Sequence, residues 1–316
     1  MKIVSIISPV YNGANFLPAF IEHLKDFTFK DFELIFVDNN SIDNSIEVLE
    51  QLLPNSEFEY KILTESTQGS GFARNKGLKN ASGKYVTFID CDDSIDYRKL
   101  ETDIQLLEEN EVDFVLCRTE RKYTDGRKMI QPLKGIEEGI LEPPLLGIVW
   151  LKNYFYLQGP GAILAKREVF EDLGGFHTLK TGQDTFLYIR LGLTYRGYFY
   201  NKVFNFYWRH SESTISKRNK QENATLLSYF ELRKNLFQDD IVSKNVEAKG
   251  ILKKQLNSDI LRLHNKKIKL SNLIDDKKLE GFKLNLILFN PISLLINKKI
   301  SHIKYNPFYQ LWLRTR

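Results

Sequence analysis

Two cysteines, two methionines and three tryptophans in 316 residues leave little material for several classes of function. Cys91 and Cys117 are too few for a disulfide framework or a four-ligand zinc site, which fits a reducing compartment such as the cytoplasm. No apolar run reaches the roughly 20 residues that span a bilayer. The nearest, Leu284 to Ile296, is interrupted by Asn285, Asn290 and Pro291. The opening run Ile3 to Val10 is broken by Ser5, Ser8 and Pro9 and reads as a buried strand, not as the apolar core of a secretory leader. Residues 281–316 contain no acidic side chain at all. Internal repeats and low-complexity tracts are also missing.

What is present suffices for one large core and a smaller appended region, since 42% of the residues are hydrophobic and disorder explains no long part of the chain. The net charge of +5 conceals an asymmetry. Residues 217–316 hold 21 Lys and Arg against 9 Asp and Glu, a balance of +12 that leaves residues 1–216 at −7. Such a split points to an acidic, pocket-bearing region and a basic region facing an anionic surface.

Short β-branched or aromatic runs alternate with amphipathic segments through the first 120 residues. They predict strands at Ile3–Ser8, Glu33–Val37, Tyr60–Thr64, Tyr85–Ile89 and Asp113–Cys117, with helices near Asn15–Phe27, Asp43–Leu53, Gly71–Ala81 and Tyr97–Asn110. That alternation belongs to a parallel sheet with crossover helices, in which ligands sit beyond the carboxyl ends of the strands. A hairpin-like stretch around Tyr123, Gly126 and Lys128 follows. Residues 132–147 read as an excursion over the surface. A second block holds a strand at Ala162–Lys166, the turn Gly174–Gly175, a helix at Gln183–Leu193 and a strand at Val203–Tyr207. From Ser216 onward, long Lys- and Leu-rich segments predict helices with a basic face. The expected division is 1–120 and 121–215 as two halves of one domain, then 216–316 as a helical extension.

Asp90 and Asp92, with Asp93 beside them, directly follow a predicted buried strand. Like charges this close repel unless a cation or hydrogen-bond donors offset them. Carboxylate oxygens at low ligand number suit Mg²⁺ or Mn²⁺ shared with phosphate oxygens. The alternative is a solvated acidic loop capping the helix that starts near Asp96. Asp38 also ends a strand. Ser41 and Asp43 can cap the next helix, but capping leaves Asp38 unexplained, and a carboxylate there can accept the imide N–H of a uracil ring. Arg74 opens a helix after Gly69–Ser70–Gly71, where a cation can face a base or a diphosphate, or lie on a helix surface.

In this order and spacing, Ser8-Pro9-Val10-Tyr11-Asn12, Val37-Asp38-Asn39-Asn40-Ser41, Ala73-Arg74-Asn75-Lys76-Gly77, Ala81-Ser82-Gly83 and Phe88-Ile89-Asp90-Cys91-Asp92-Asp93 resemble the inverting family-2 glycosyltransferases of bacterial polysaccharide type. Gly174-Gly175-Phe176, Gly182-Gln183-Asp184-Thr185-Phe186-Leu187 and Tyr207-Trp208-Arg209-His210 with Ser213 are similar to that family's acceptor-side block, so the resemblance covers residues 3–215. It implies an α/β GT-A fold, a mostly parallel sheet flanked by helices. It implies further that Pro9, Val10, Tyr11 and Asp38 cradle the nucleoside of a nucleotide-sugar donor, a UDP-sugar, and that Arg74 supports that site. Asp90 and Asp92 would hold ribose and a Mn²⁺ or Mg²⁺ ion, with Asp92 the direct ligand and His210 able to reach the metal or the diphosphate. Asp184 matches the base that deprotonates a hydroxyl of a glycan or lipid-linked glycan. Gln158-Gly159-Pro160-Gly161 falls where the family lines donor sugar and acceptor.

The chain departs from the family in having Gln183-Asp184 for the usual Glu-Asp, and Asn-Asn after Asp38 for the commoner Asp-Gly. Thr181-x-x-Asp184 also matches a helix-capping pattern. Two other functions share parts of this pattern: a sugar-nucleotide nucleotidyltransferase, which should carry a cationic Gly-rich loop after the first strand, and a transferase-like scaffold that has lost its carboxylates. Pro9-Val10-Tyr11-Asn12-Gly13 has no cation, and Asp90, Asp92 and Asp184 are all present. In residues 281–316, Lys283, Lys298, Lys299, Lys304, Arg314 and Arg316 alternate with apolar residues, as in segments that lie in the headgroups of an anionic leaflet or pack on protein. The expectation is a cytoplasmic enzyme, peripheral on the inner face of the cell membrane. No nucleic-acid motif accompanies the basic charge.

Overall fold

The computed structural model describes residues 2–210 and 223–266. The predicted docking segment 281–316 and Ser213 lie outside the described residues. Strands β1 (Val4–Val10), β2 (Phe32–Asp38), β3 (Glu59–Thr64) and β4 (Tyr85–Phe88) alternate with helices α1 (Leu17–Lys25), α2 (Ser45–Leu52) and α3 (Ser70–Lys79). Then come β5 (Ser94–Ile95), α4 (Lys99–Glu109), β6 (Phe114–Tyr123), β7 (Lys128–Ile130), β8 (Gly139–Leu141), α5 (Leu145–Lys152), β9 (Ile163–Lys166), α6 (Arg167–Asp172), α7 (Gln183–Thr194) and β10 (Gly197–Arg209). Helices α8 (Ala224–Gln238), α9 (Asp240–Lys244) and α10 (Val246–Asn265) complete the described chain.

One mixed sheet runs in the order β3-β2-β1-β4-β9-β6-β10-β5, with β7 on β6 and β8 on β10. Both faces of β1 and β2 are covered, so their sequences are nearly continuous apolar runs, as parallel strands between helix layers require. The expected mostly parallel α/β sheet is present, and β1 through β4 pair in parallel. The fifth predicted strand, however, does not lie beside β4. β9 inserts between β4 and β6, antiparallel to both, with Tyr85 opposite Lys166 and Phe114 opposite Ala165. Hydrophobic periodicity marks each strand but carries no information about pairing between segments this far apart in sequence.

The segment 132–147 runs largely over the surface, with nine of its sixteen residues exposed, but it is anchored to the core. Leu133, Ile136 and Leu141 are buried, β8 pairs with β10, and α5 hides Leu146, Ile148, Trp150 and Leu151. Its Pro and Gly residues suggested a loop, but they start the helix and open its contact with α7. Gly147 and Gly192 face each other so closely that a Cβ on Gly147 would lie 2.6 Å from the Leu193 nitrogen. Helix α3 meets the sheet in the same way, since a Cβ on Gly77 would lie 2.4 Å from Ile7 Cγ2.

One buried polar network ties α4 to β10. Lys99 and Asp103 on α4 form a fully buried ion pair, and Tyr200 on β10 donates to Asp103 at 2.6 Å. The chain divides into two compact units, residues 1–259 and 260–316. Within the first, α8 and α9 pack on α7, and Arg233 of α8 bonds both oxygens of Asp259 at 2.7 and 2.6 Å. No helix among the described residues is long and apolar enough to cross a membrane.

Candidate active site

Because β1, β2 and β4 run in parallel, their carboxyl ends share one edge of the sheet. β9 reverses direction once and β6 reverses again, so β6 and its parallel partner β10 end on that edge too. The topology thereby assembles Val10, Asp38, Asp90 to Asp93 and His210, which are scattered over 200 positions.

Asp38 closes β2 opposite Val10 and is buried. Its Oδ2 accepts from the Ser41 backbone N–H at 3.3 Å, while Oδ1 is buried without a partner. A buried acceptor left unmade is costly in a folded chain and points to a group from outside it. The two residues that depart from the family pattern hold the surrounding loops. Asn39 accepts from Gly69 N–H at 2.7 Å and donates to the carbonyls of Glu65 and Thr67, tying β2 to the approach to α3. Asn40, at the commonly Gly position, has φ +64°, a left-handed conformation that asparagine tolerates better than other side chains. The cap position of α2 is Asn44, without a side-chain bond, and Ser41 and Asp43 reach instead to the loop after β1. Ser41 Oγ accepts from Asn12 N–H at 3.0 Å, and Asp43 Oδ2 from Ala14 N–H at 3.1 Å. Next to them the Tyr11 ring is half exposed.

The oxygens of Asp90, Asp92 and Asp93 gather within 4.8 Å of one another, a group able to hold a metal ion. Asp90 Oδ1 accepts from Arg74 Nη2 at 2.6 Å. Arg74 is buried, its guanidinium 5.3 Å from the Phe176 ring centre, with Nη1 on Ser70 Oγ. Burial alone would lower its pKa, but Asp90, and more distantly Asp184, raise it above the ordinary value. Arg74 is thus a charged strut behind Asp90. Asp92 Oδ2 lies 2.9 Å from His210 Nε2. Burial and then Asp90 raise the Asp92 carboxyl, against the pull of His210. Asp93 accepts from the Trp208 N–H at 3.0 Å, and burial followed by Asp92 and Asp90 pushes it well above the carboxylate range. Negative charge is thus in excess at this point. A hard cation would offset it, and carboxylates with one imidazole make a suitable donor set for Mn²⁺ or Mg²⁺.

Asp184 sits in the first turn of α7, where its Oδ1 accepts from Thr185 N–H at 2.8 Å. The capping pattern is not realised, because Gly182, in a left-handed conformation, occupies the cap and no side chain bonds there. Gln183, in place of the usual Glu, donates to Ser70 Oγ at 2.8 Å and joins the start of α7 to the start of α3. A second tie is Asn75, whose amide donates to the Phe176 carbonyl and accepts from the Phe176 N–H, both at 2.8 Å. Gly175 must lack a side chain there, since its φ is +71° and a Cβ would lie 2.4 Å from Asn75 Oδ1.

Gln158 is tied into the protein interior by its amide. Its side chain is buried, accepting from Thr119 N–H at 3.0 Å and donating to the carbonyls of Tyr156 and Pro132. The sequence reading named Tyr207 only as part of the Tyr207-Trp208-Arg209-His210 block and did not name Arg121, which meets it through the parallel register of β6 and β10. No local motif announces that pairing.

Residues 5–174 match the pattern of the family described as glycosyl transferase family 2. An uncharacterized glycosyltransferase of Haemophilus influenzae is 36% identical over 110 residues, 35% of this chain and 44% of that protein. This chain therefore matches less than half the length of that relative. The putative glycosyltransferase EpsH of Bacillus subtilis is 26% identical over 248 residues, 75% of this chain and 70% of EpsH. A structure of S. aureus TarS (residues 1–349) in complex with UDP superposes with a TM-score of 0.60 at 20% identity, over 89% of this chain and 78% of that one, a likeness of fold. The matched segment spans the β1, β2 and β4 edge with its carboxylates, and on that ground the chain belongs to glycosyl transferase family 2.

Proposed function

We propose that this protein moves a sugar, a hexosyl or N-acetylhexosaminyl group, from a UDP-sugar to a hydroxyl of a glycan or lipid-linked glycan, with inversion and with a divalent cation. The observation that carries the reading is the Asp90, Asp92 and Asp93 cluster with His210 on the sheet edge that also bears the unpartnered Asp38 Oδ1. In this reading Pro9, Val10 and Tyr11 flank the nucleoside and Asp38 accepts the uracil imide N–H. Asp90, steadied by Arg74, takes the ribose. Asp92 and His210 hold Mn²⁺ or Mg²⁺, which supplies charge neutralisation for the diphosphate. The fold shared with TarS, whose structure carries UDP, favours this donor class.

Asp184 acts as the base. It takes the acceptor hydroxyl proton as that oxygen bonds to the anomeric carbon, while the bond from that carbon to the diphosphate oxygen breaks and UDP departs with the electron pair. Attack from the face opposite the leaving group inverts the centre. A carboxylate suffices because the hydroxyl becomes acidic only as the new bond forms. Residues 1–215 would carry this chemistry. The acid-free segment 281–316 supports a second proposal, that residues 216–316 dock on an anionic membrane surface or on a protein.

The test is calorimetric titration with UDP, GDP and ADP, in Mn²⁺ and then in EDTA. UDP binding that requires the metal supports the reading. Absence of binding by every nucleotide in Mn²⁺ refutes it in favour of a scaffold.

A further inference from the structure

We infer that Arg121 and Arg209, set about the Tyr207 ring beside the candidate active site, form a subsite for an anionic group, a carboxylate or a phosphate, carried by the acceptor glycan. The inference rests on the glycosyl-transfer reading above and deepens it by naming the acceptor's chemistry.

The register of β6 and β10 places Arg121 opposite Tyr207 and Tyr123 opposite Arg209. Directly opposed residues, and residues two apart on one strand, share a face, so Arg121, Tyr207 and Arg209 lie together. The Arg121 guanidinium is 5.8 Å and that of Arg209 5.5 Å from the Tyr207 ring centre. Arg121 also lies 4.9 Å from the half-exposed Phe155 ring. Neither guanidinium meets a carboxylate among the described residues, whereas Arg74, Arg98, Arg127, Arg167, Arg190 and Arg233 each do. Two like charges on one aromatic ring, partly out of water, repel unless an anion joins them. Burial, and after it Arg209, indeed lowers the Arg121 pKa.

The position indicates the acceptor. Asp93 meets β10 on its β5 side through the Trp208 N–H, whereas Arg121 lies on β6, across that strand. Tyr207 and Arg209 flank Trp208, whose N–H bonds Asp93, and Arg209 precedes His210, which lies 2.9 Å from Asp92. The guanidiniums therefore stand by the carboxylate cluster, on strands four and five places from β2, which carries Asp38, in the sheet order. Phe155 and Tyr207 offer aromatic faces for sugar rings, and paired guanidiniums match the forked geometry of carboxylate and phosphate.

The test uses the full chain with three probes: oligogalacturonate, a glycerol phosphate oligomer and neutral cellohexaose. At least one anionic probe should bind tenfold or more tightly than cellohexaose, the two anionic arms separating carboxylate from phosphate recognition. Arg121→Gln with Arg209→Gln should reduce that affinity at least tenfold, and Arg121→Lys alone by less. UDP affinity in Mn²⁺ should stay within twofold, and the thermal midpoint should match the parent, which separates this site from the donor site and from misfolding. Equal binding of charged and neutral probes overturns the inference, as does unchanged affinity in the double variant. Loss of UDP affinity with anionic-probe binding intact assigns the guanidiniums to the donor and overturns it as well. Failure of the parent to bind UDP would instead strike at the glycosyl-transfer reading, and the probe arms would still report on the anion site.

Discussion

Asp92 Oδ2 and His210 Nε2 stand 2.9 Å apart although 118 positions separate them, so the loop after β4 and the end of β10 close on one another through a carboxylate and an imidazole. In the proposed function both face the same cation. Asp92→Ala should weaken Mn²⁺-dependent UDP binding by about tenfold or more, and His210→Ala by less, by analogy with the roughly 10–100-fold cost of losing metal-site partners. Calorimetry in Mn²⁺ and in EDTA checks this, and unchanged affinity in Asp92→Ala would remove Asp92 from the metal site.

The same cluster fixes a pH dependence. Burial and mutual repulsion raise the Asp92 and Asp93 carboxyls, so they gain protons at higher pH than ordinary carboxyls do. A cation competes with those protons. Metal affinity should therefore fall as pH drops from neutrality, starting above the usual carboxylate range, and binding should release protons. Titrations of Mn²⁺ in buffers of different ionisation enthalpy would show the release; identical apparent enthalpies in all buffers would speak against it.

Asp184→Asn retains size and removes the base. UDP affinity should hold within about twofold, while transfer to the acceptor should drop by about 10²–10⁴, the range typical of general-base catalysis. A variant that transfers at the parent rate would exclude Asp184 from proton removal.

Asn75→Ala leaves the Phe176 N–H and carbonyl without their partner and cuts a tie between α3 and the Gly174–Gly175–Phe176 turn. Loss of this part-buried pair of bonds should destabilise the fold by about 1–2 kcal/mol. Gly175→Ala should act in the same direction through its positive φ and the close approach of Asn75 Oδ1. Urea unfolding of both variants provides the comparison, and parent-like midpoints would show that the turn does not depend on the clamp.

Glu33 is buried in β2 and meets Ser5 Oγ, Lys61 Nζ and Ser82 N–H. Burial would raise its carboxyl, but Lys61 and the serine bonds prevail and hold it at about 2, against an ordinary 4.5. A depressed folded pKa stabilises above the unfolded value and is lost as pH falls through the folded one. Glu33→Gln should therefore cost about 2 kcal/mol at pH 7, after discounting for the exposed Lys61 partner. The difference from the parent should vanish between about pH 4.5 and pH 2. A constant difference across that window would mean that shape rather than charge matters at this position.

Much of the donor side was legible in the chain itself. Apolar runs of strand length ending in Asp38 and in Asp90 to Asp93 mark both the parallel strands and the carboxyl edge at which ligands bind in such sheets, because burial on two faces and polar loops at that edge each demand particular residue types locally. The helix that Asp184 opens was legible too, Gln183–Thr194 against the expected Gln183–Leu193, while the role proposed for Asp184 came from the resemblance. Only the tertiary structure decided that β9 separates β4 from β6, that α5 is core, that Arg74 serves Asp90, that Asn75 clamps Phe176, and that Tyr207 gathers two guanidiniums. Each of these depends on contacts between segments far apart in sequence, where the energy lies in packing and pairing that no local period encodes. The residue types that do chemistry are written along the chain, whereas their company is chosen by the fold.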